Sequence, residues 1–191
     1  MVKLTIMNKT QENLLKAFAG ESQARNKYYM FAKMARKENL EWVARVFEET
    51  ADQERAHAEE LFELIKEPVS VTDTLGIAPF GKTIDNLKMA AGGEKHEWTE
   101  MYPSFEAQAK IDGDVEAERL FREVKEVEEK HEERYIIIAK HMDANTLYNQ
   151  DVELEWKCVN CGYIHKGKTP PTTCPVCKKP FTWYQPLGLV R

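Results

Sequence analysis

The sequence has little that would place the chain in a membrane or outside the cell. No stretch approaches the ~18 consecutive apolar residues of a spanning helix. The opening MVKLTIMNKT lacks the apolar run of roughly 7–15 residues that directs export, so a cytoplasmic location is expected. Only four cysteines occur, all within two C-x-x-C pairs, which leaves none for a disulfide framework. In a chain without an export signal, that spacing reads as metal binding. No basic patch with interleaved aromatics is present, so nucleic acid is not an expected partner. The net charge of −5 is equally uninformative. Five glutamates are assigned below to one buried site, and without them 27 acidic residues face 27 basic ones.

What remains is a chain of 191 residues, 42% hydrophobic and 31% charged, long enough for one or two domains with a buried core. Its composition changes near residue 145. Ala, Glu, Lys, Leu and Met at helical spacing give way to Pro, Gly, Thr and all the cysteines. A linker is expected at about Asp143–Leu154, dividing a helical domain (1–146) from a small one (155–191) through residues 147–154. Helices are expected over Lys9–Arg36, Leu40–Lys66, Lys82–Lys110 and Asp114–His141. Asn39 and Asp112-Gly113-Asp114 form the tight turns, and Pro103 predicts a kink or break in the third helix. The segment Glu67–Gly81 can stretch about 50 Å. A 26-residue helix is about 39 Å long, so the segment can run the length of a bundle as a single crossover.

The helices repeat. Asn13 to Glu21 matches Asn86 to Glu94 at an offset of 73, and Val46-Phe47 with Glu54-x-x-His57 matches Leu120-Phe121 with Glu128-x-x-His131 at an offset of 74. One helical hairpin appears twice, which implies a pseudo-twofold axis. Each helix carries an apolar stripe at three- and four-residue steps, and each stripe contains glutamate. The stripes are Leu14, Phe18, Glu21, Arg25, Tyr28; Val43, Phe47, Thr50, Glu54, His57, Leu61; Leu87, Ala91, Glu94, Trp98, Met101, with Glu97 alongside; and Phe121, Val124, Glu128, His131, Tyr135, Ile138. Buried carboxylates repel one another and are costly unless compensated, and the single inward cation expected, Arg25, cannot neutralise five. Metal ions can. One Glu from each of two helices (Glu21, Glu94) and Glu-x-x-His from each of the other two is the donor arrangement of two-metal carboxylate bundles. Oxygen and imidazole donors suit iron or manganese. A single Glu-x-x-His in so Glu-rich a chain would be read as a solvated face; two in repeat register, with two further inward glutamates, would not. The H-E-x-x-H zinc-protease pattern is absent.

Cys158-x-x-Cys161 and Cys174-x-x-Cys177 form C-x2-C-x12-C-x2-C, a tetrahedral four-thiolate site. Zinc ribbons and one-iron sites share this geometry. Alone it would favour structural zinc, which can also substitute in either site; beside a redox bundle it favours iron, because a thiolate iron delivers single electrons. Trp156, Tyr163, Phe181, Trp183 and Tyr184 are the expected core around it.

The chain resembles the rubrerythrin family along almost its whole length. The resemblance is carried by Phe18-Ala19-Gly20-Glu21-Ser22-Gln23-Ala24-Arg25, Ala51-Asp52-Gln53-Glu54-Arg55-x-His57-Ala58, Glu94-x-His96-Glu97-x-Thr99-Glu100-Met101-Tyr102-Pro103-Ser104-Phe105, Glu128-Glu129-x-His131-Glu132 and the cysteine pairs. It implies a ferritin-like four-helix bundle with one long crossover, fused to a β-rich rubredoxin-like domain. It also implies two irons in the bundle, one in the four-cysteine site, and reduction of hydrogen peroxide with electrons from NAD(P)H through a reductase or rubredoxin. By the same resemblance Glu54 and Glu128 would bridge the irons, and Glu21 and Glu94 would be terminal ligands. His131 would bind one iron, and His57 and Glu97 would exchange on the other. Tyr28 and Tyr102 would donate hydrogen bonds to ligands or bound oxygen species. A head-to-tail homodimer or higher homo-oligomer is implied. The sequence departs from the usual pattern at Gly93 and Lys95, and at Lys178, which stands where free rubredoxins have glycine. Two other readings compete: an iron-handling ferroxidase, and a helical interaction module with a zinc ribbon, which leaves the inward glutamates unexplained.

Overall fold

The computed structural model describes residues 8–72, 74 and 76–189. The helical domain is built from α1 (Lys9–Lys37), α2 (Glu41–Glu63), α3 (Thr83–His96), α4 (Tyr102–Asp112) and α5 (Val115–Asp143). Local chemistry sets their ends. The Asn8 side chain accepts the Thr10 N–H (2.8 Å), and Asp114 accepts that of Ala117 (3.1 Å), each satisfying a donor the helix leaves free. Asn39 (φ 61°) and Gly113 (φ 74°) take the left-handed conformation that lets the chain turn. Helix α2 is shorter than expected, stopping at Glu63 rather than Lys66.

The expected break at Pro103 takes another form. Helices α3 and α4 are continuous through a π turn, Glu97–Met101. Pro103 has no N–H to return to the preceding turn. Widening that turn places the proline in the first turn of α4, where no N–H is needed.

End contacts fix the helix directions. Lys66 N–H donates to the Gln11 side chain (3.2 Å) near the start of α1, and Thr83 N–H donates to Glu38 (3.1 Å) beyond its end. The segment between α2 and α3 therefore runs the length of the bundle. Thr10 Oγ1 donates to Asp112 (2.7 Å), and Lys88 pairs with Asp143 (2.8 Å), so α5 returns antiparallel to α3–α4. This is the ferritin-like bundle with one crossover.

The core divides in two. One half gathers Tyr28, Phe31, Trp42, Val43, Phe47, Leu87, Tyr135 and Ile138; the other gathers Leu14, Leu61, Tyr102, Leu120, Phe121 and Val124. Between them lies a polar layer holding Glu21, Glu54, Glu94, Glu128 and His131, each at most 4% exposed.

After α5, Leu147 is buried against the first half-core, and Tyr148 packs on Trp156 (6.4 Å) and Phe181 (5.2 Å between centroids). Strands β1 (Leu154–Cys158), β2 (Ile164–Gly167) and β3 (Tyr184–Leu187) form an antiparallel sheet of order β2-β1-β3. Trp156 and Tyr184 are fully buried with Cys158 and Cys174. Phe181 and Trp183 correct the expected core. Phe181 is 41% exposed, and Trp183 faces two cations instead, Lys179 at 4.3 Å and Arg45 of α2 at 5.4 Å. Among the described residues no helix is long and apolar enough to cross a membrane.

Candidate metal centres

In the polar layer the donors converge on two points. Glu21, Glu54, His57 and Glu128 offer one set of mutually close atoms; Glu54, Glu94, Glu128 and His131 offer the other. Glu54 and Glu128 belong to both. Their helices, α2 and α5, also carry the histidines three residues on, so one helical face supplies a shared and an unshared donor.

Apart from His57 Nδ1, which meets Glu54 Oε2 at 3.0 Å, the closest of these atoms are not hydrogen-bonded to one another. His131 Nδ1 lies 2.7 Å from Glu128 Oε2 and 3.3 Å from Glu54 Oε1, yet all three atoms lack a hydrogen-bond partner of acceptable geometry. Glu21 Oε2, Glu94 Oε2 and Glu128 Oε1 are likewise buried and unpartnered. Unpaired buried carboxylate oxygens are costly, and lone pairs aimed at a common point are what a cation requires. The donor set fits two hard or borderline divalent ions. Around it three of the donor residues are held from outside. Tyr28 donates to Glu94 and Tyr102 to Glu21, both through short hydrogen bonds. His131 Nε2 meets Gln53 Oε1 at 3.0 Å, which puts the proton on Nε2 and leaves Nδ1 as the donor atom toward the carboxylates.

The electrostatics without a cation are those of crowded buried acids. Burial, then the neighbouring Glu128 and Glu54, push Glu21 well above the ordinary carboxylate range. Burial raises Glu94 to about 7 and, with Glu94 and Glu128, raises Glu97 strongly. Burial also opposes ionisation of Glu128, but the flanking imidazoles outweigh it and hold that group at about 2. Burial disfavours the His57 imidazolium; Glu128 and Glu54 overcome this and lift it to about 9.

Six of the seven residues expected to bind the two metals thus lie in one of the two donor sets. Glu97 lies in neither. It opens the π turn, close enough for its charge to act on Glu94, Glu128 and Glu54. Arg25 is a correction: it is exposed, not inward. Phe18 likewise is only half-buried and packs at a tilt against the exposed Phe62 (5.4 Å between centroids). The cation acting on Glu97 is Lys27, whose Nζ sits 5.0 Å from the Tyr28 ring centroid. Trp98, expected inward, is half-buried and donates to Glu132 (2.6 Å). Sequence reasoning passed over Gln53 as a support for His131. The signal available was its place next to Glu54 in a motif whose repeat partner, 74 residues on, is the apolar Val127.

The second centre is compact. Cys158 Sγ and Cys177 Sγ are 3.6 Å apart, and Cys161 Sγ and Cys174 Sγ 3.7 Å. Those separations are far too long for disulfides and match the ~3.8 Å edge of a tetrahedron with ~2.3 Å metal–sulfur bonds. The two knuckles turn alike: Gly162 after Cys161 has φ 77° and Lys178 after Cys177 has φ 61°.

Against known proteins, residues 12–138 match the rubrerythrin family, and residues 156–182 match the rubrerythrin rubredoxin-like domain. A rubrerythrin of Porphyromonas gingivalis is 40% identical over 94% of this chain and 90% of its own length. Rubrerythrin-1 of Clostridium acetobutylicum is 41% identical over 94% and 95%. The structure of nigerythrin in a fully reduced, all-ferrous state superposes with a TM-score of 0.65 at 35% identity, covering 96% of this chain and 89% of that one.

Proposed function

This chain belongs to the rubrerythrin family, with a di-iron carboxylate site and a rubredoxin-like site of four cysteines, and from that premise we propose that it is a non-haem di-iron peroxidase. It reduces hydrogen peroxide to two waters, consuming two electrons and two protons per molecule. The observation that carries this reading is the pair of donor sets sharing Glu54 and Glu128, on the same chain as a tetrahedral thiolate cage. When bound, two irons would supply the two electrons of the reaction and a thiolate iron would return them singly.

The chain's own residues do the rest. Glu54 and Glu128, common to both donor sets, would hold both ions, Glu21 and Glu94 would hold one each, and His131, oriented by Gln53, would hold one of them. Tyr28 and Tyr102 hold protons at the edge of the site. Burial and the facing carboxylates keep both phenols neutral, so each can stabilise a carboxylate or hand a proton to departing oxygen. His57 and Glu97 would serve as alternative donors to one ion. Two ferrous ions carry a charge of +4, which four carboxylates cancel; two ferric ions carry +6, and a fifth carboxylate absorbs part of the increase. Replacing neutral His57 by anionic Glu97 as donor would keep the buried layer near neutrality in both states. Electrons come from NAD(P)H through a reductase or rubredoxin to the four-cysteine site. Two chains pair head to tail, so that one chain's thiolate site serves the other's carboxylate site.

The test is a visible spectrum with metal analysis, followed by one equivalent of hydrogen peroxide added anaerobically to the reduced protein. A red protein with three irons per chain, rapidly reoxidised, is expected. A colourless protein that holds only zinc in its thiolate cage after iron loading would leave the reaction without an electron carrier and defeat the proposal.

A further inference from the structure

The contact between the two domains centres on one side chain. Arg45, in the second turn of α2, donates through Nη1 to the carbonyl oxygen of Val159 at 2.8 Å. Its Nε donates to the buried Glu41 (3.1 Å), and its guanidinium lies 5.4 Å from the Trp183 ring centroid. Val159 is the residue between the first two cysteines that packs on the helical core, and its own N–H donates to Trp183 O (2.8 Å). Arg45 is thus held on both sides and aimed at one peptide group. That peptide joins Val159 to Asn160, so the carbonyl accepting from Arg45 and the Asn160 N–H are two ends of one amide. The Asn160 N–H, with that of Cys161, donates to the Cys158 sulfur.

We propose that Arg45 tunes the thiolate iron from the helical domain: by drawing on the Val159 carbonyl it polarises the Val159–Asn160 amide, strengthens the Asn160 N–H···Sγ bond to Cys158 and raises the reduction potential. The physics is that of chained hydrogen bonds. Charge on the acceptor side of an amide enhances donation from its N–H, by roughly 10–30% per bond. A bond to a guanidinium is also stronger than one between neutral groups. Four thiolates around ferric iron carry a net charge of −1, and around ferrous iron −2. N–H donors to sulfur therefore stabilise the reduced form more, and hydrogen bonding to cysteine sulfur is one of the levers that sets such potentials. The positive charge of Arg45 acts in the same direction. The consequence is that the helical domain helps set the potential of the thiolate centre on its own chain, which in the head-to-tail pair serves the partner chain's carboxylate site.

The inference takes iron in the four-cysteine site as given by the proposed function, so its test has one readout that does not need iron. The full-length Arg45→Gln protein is compared with wild type in two forms. In the iron-loaded form, potentiometric titration of the visible thiolate-to-iron bands is expected to give a midpoint more negative than wild type. In the zinc-loaded form, the Asn160 amide proton is expected to move upfield by more than the amides of Lys157, Cys161 and Gln185. An unchanged midpoint overturns the proposal. So do amide shifts of equal size across Lys157, Val159 and Gln185, which would mean that the small domain has come off the bundle. If wild type takes no iron into the cage, the proposed function fails, while an undisturbed Asn160 amide in the zinc form would sink the inference separately.

Discussion

Stripping the metals should turn the polar layer from a binding site into a pH-dependent liability. Glu94 is fully buried, and burial raises it from 4.5 to about 7. Its folded-state value exceeds the unfolded one, so folding takes up a proton between those limits. The stabilisation is complete below about pH 4.5 and is lost as pH rises through about 7. A shift of that size corresponds to about 3 kcal/mol. Glu21, Glu97, His57 and His131 are raised too and act with the same sign. Glu128, held at about 2, contributes stability that is complete above about pH 4.5 and is lost only as pH falls toward 2, so it is flat across the range tested. The metal-free protein should therefore be less stable at about pH 8 than at about pH 5.5 by about 3 kcal/mol or more. For a chain of this size that is a fall in Tm of about 6–12 °C. Calorimetric melts of chelator-treated protein at the two pH values read this directly, with the metal-loaded protein as control. In the loaded form the carboxylates are ionised and compensated, and the fall should disappear. Equal or higher apo stability at the higher pH would refute the reasoning, because it would mean the carboxylates are not crowded in the folded state.

Three further outcomes follow from single contacts. Glu97→Ala should slow peroxide turnover in stopped-flow while leaving the six-residue donor sets able to load metal; cycling at the wild-type rate would contradict the charge-balancing role given to Glu97. Gln53→Leu removes the acceptor at His131 Nε2, and metal titration should show affinity about 10- to 100-fold weaker. Lys178→Gly relieves a left-handed backbone position (φ 61°) and should stabilise the small domain by about 1 kcal/mol in thermal melts, with the thiolate bands unchanged.

How much of this could be read from the sequence depended on whether the feature was periodic. The inward glutamates were legible because apolar neighbours at helical spacing fix a face, and a carboxylate inside that face has few explanations. The crossover was legible from chain length alone. Arg25 was misplaced because it sits at the edge of its stripe, where a modest rotation about the helix axis separates inside from outside. There an aliphatic stem covers apolar surface while the charge stays in water. Trp183 was misassigned because an aromatic residue in a small metal domain is expected in its core, whereas this one serves the contact with α2. That contact depends on how two domains meet, and no spacing within either one encodes it.

The π turn was legible in one respect that the proline obscured. The repeat offset is 73 from Glu21 to Glu94 and 74 from Tyr28 to Tyr102, so one extra residue enters the second copy between those positions. In an α-helix seven residues advance about 700°, within about 20° of two full turns, so Glu21 and Tyr28 share a face; eight would overshoot by about 80°. Glu94 and Tyr102 are eight apart and still face the same layer, because the π turn Glu97–Met101 absorbs the additional residue. Such a turn is a single-residue insertion tolerated where function repays the poorer hydrogen bonding, and here it begins at Glu97, which has no acidic counterpart in α1. Deleting the exposed Thr99 should therefore return the segment to α-helical spacing without disturbing register, at a cost of about 3 kcal/mol because Pro103 then sits in a helix interior. The variant should fold with wild-type helix content, keep the hydrogen bond from Tyr102 to Glu21, and load two metals through the symmetric donors. Only Glu97, at the head of the altered turn, should change its relation to the site, and with it the rate of peroxide turnover. Circular dichroism, metal stoichiometry and a crystal structure of the deletion variant would decide the matter. Loss of helix content, or a Tyr102 swung away from Glu21, would show that the extra residue is not what the π turn accommodates.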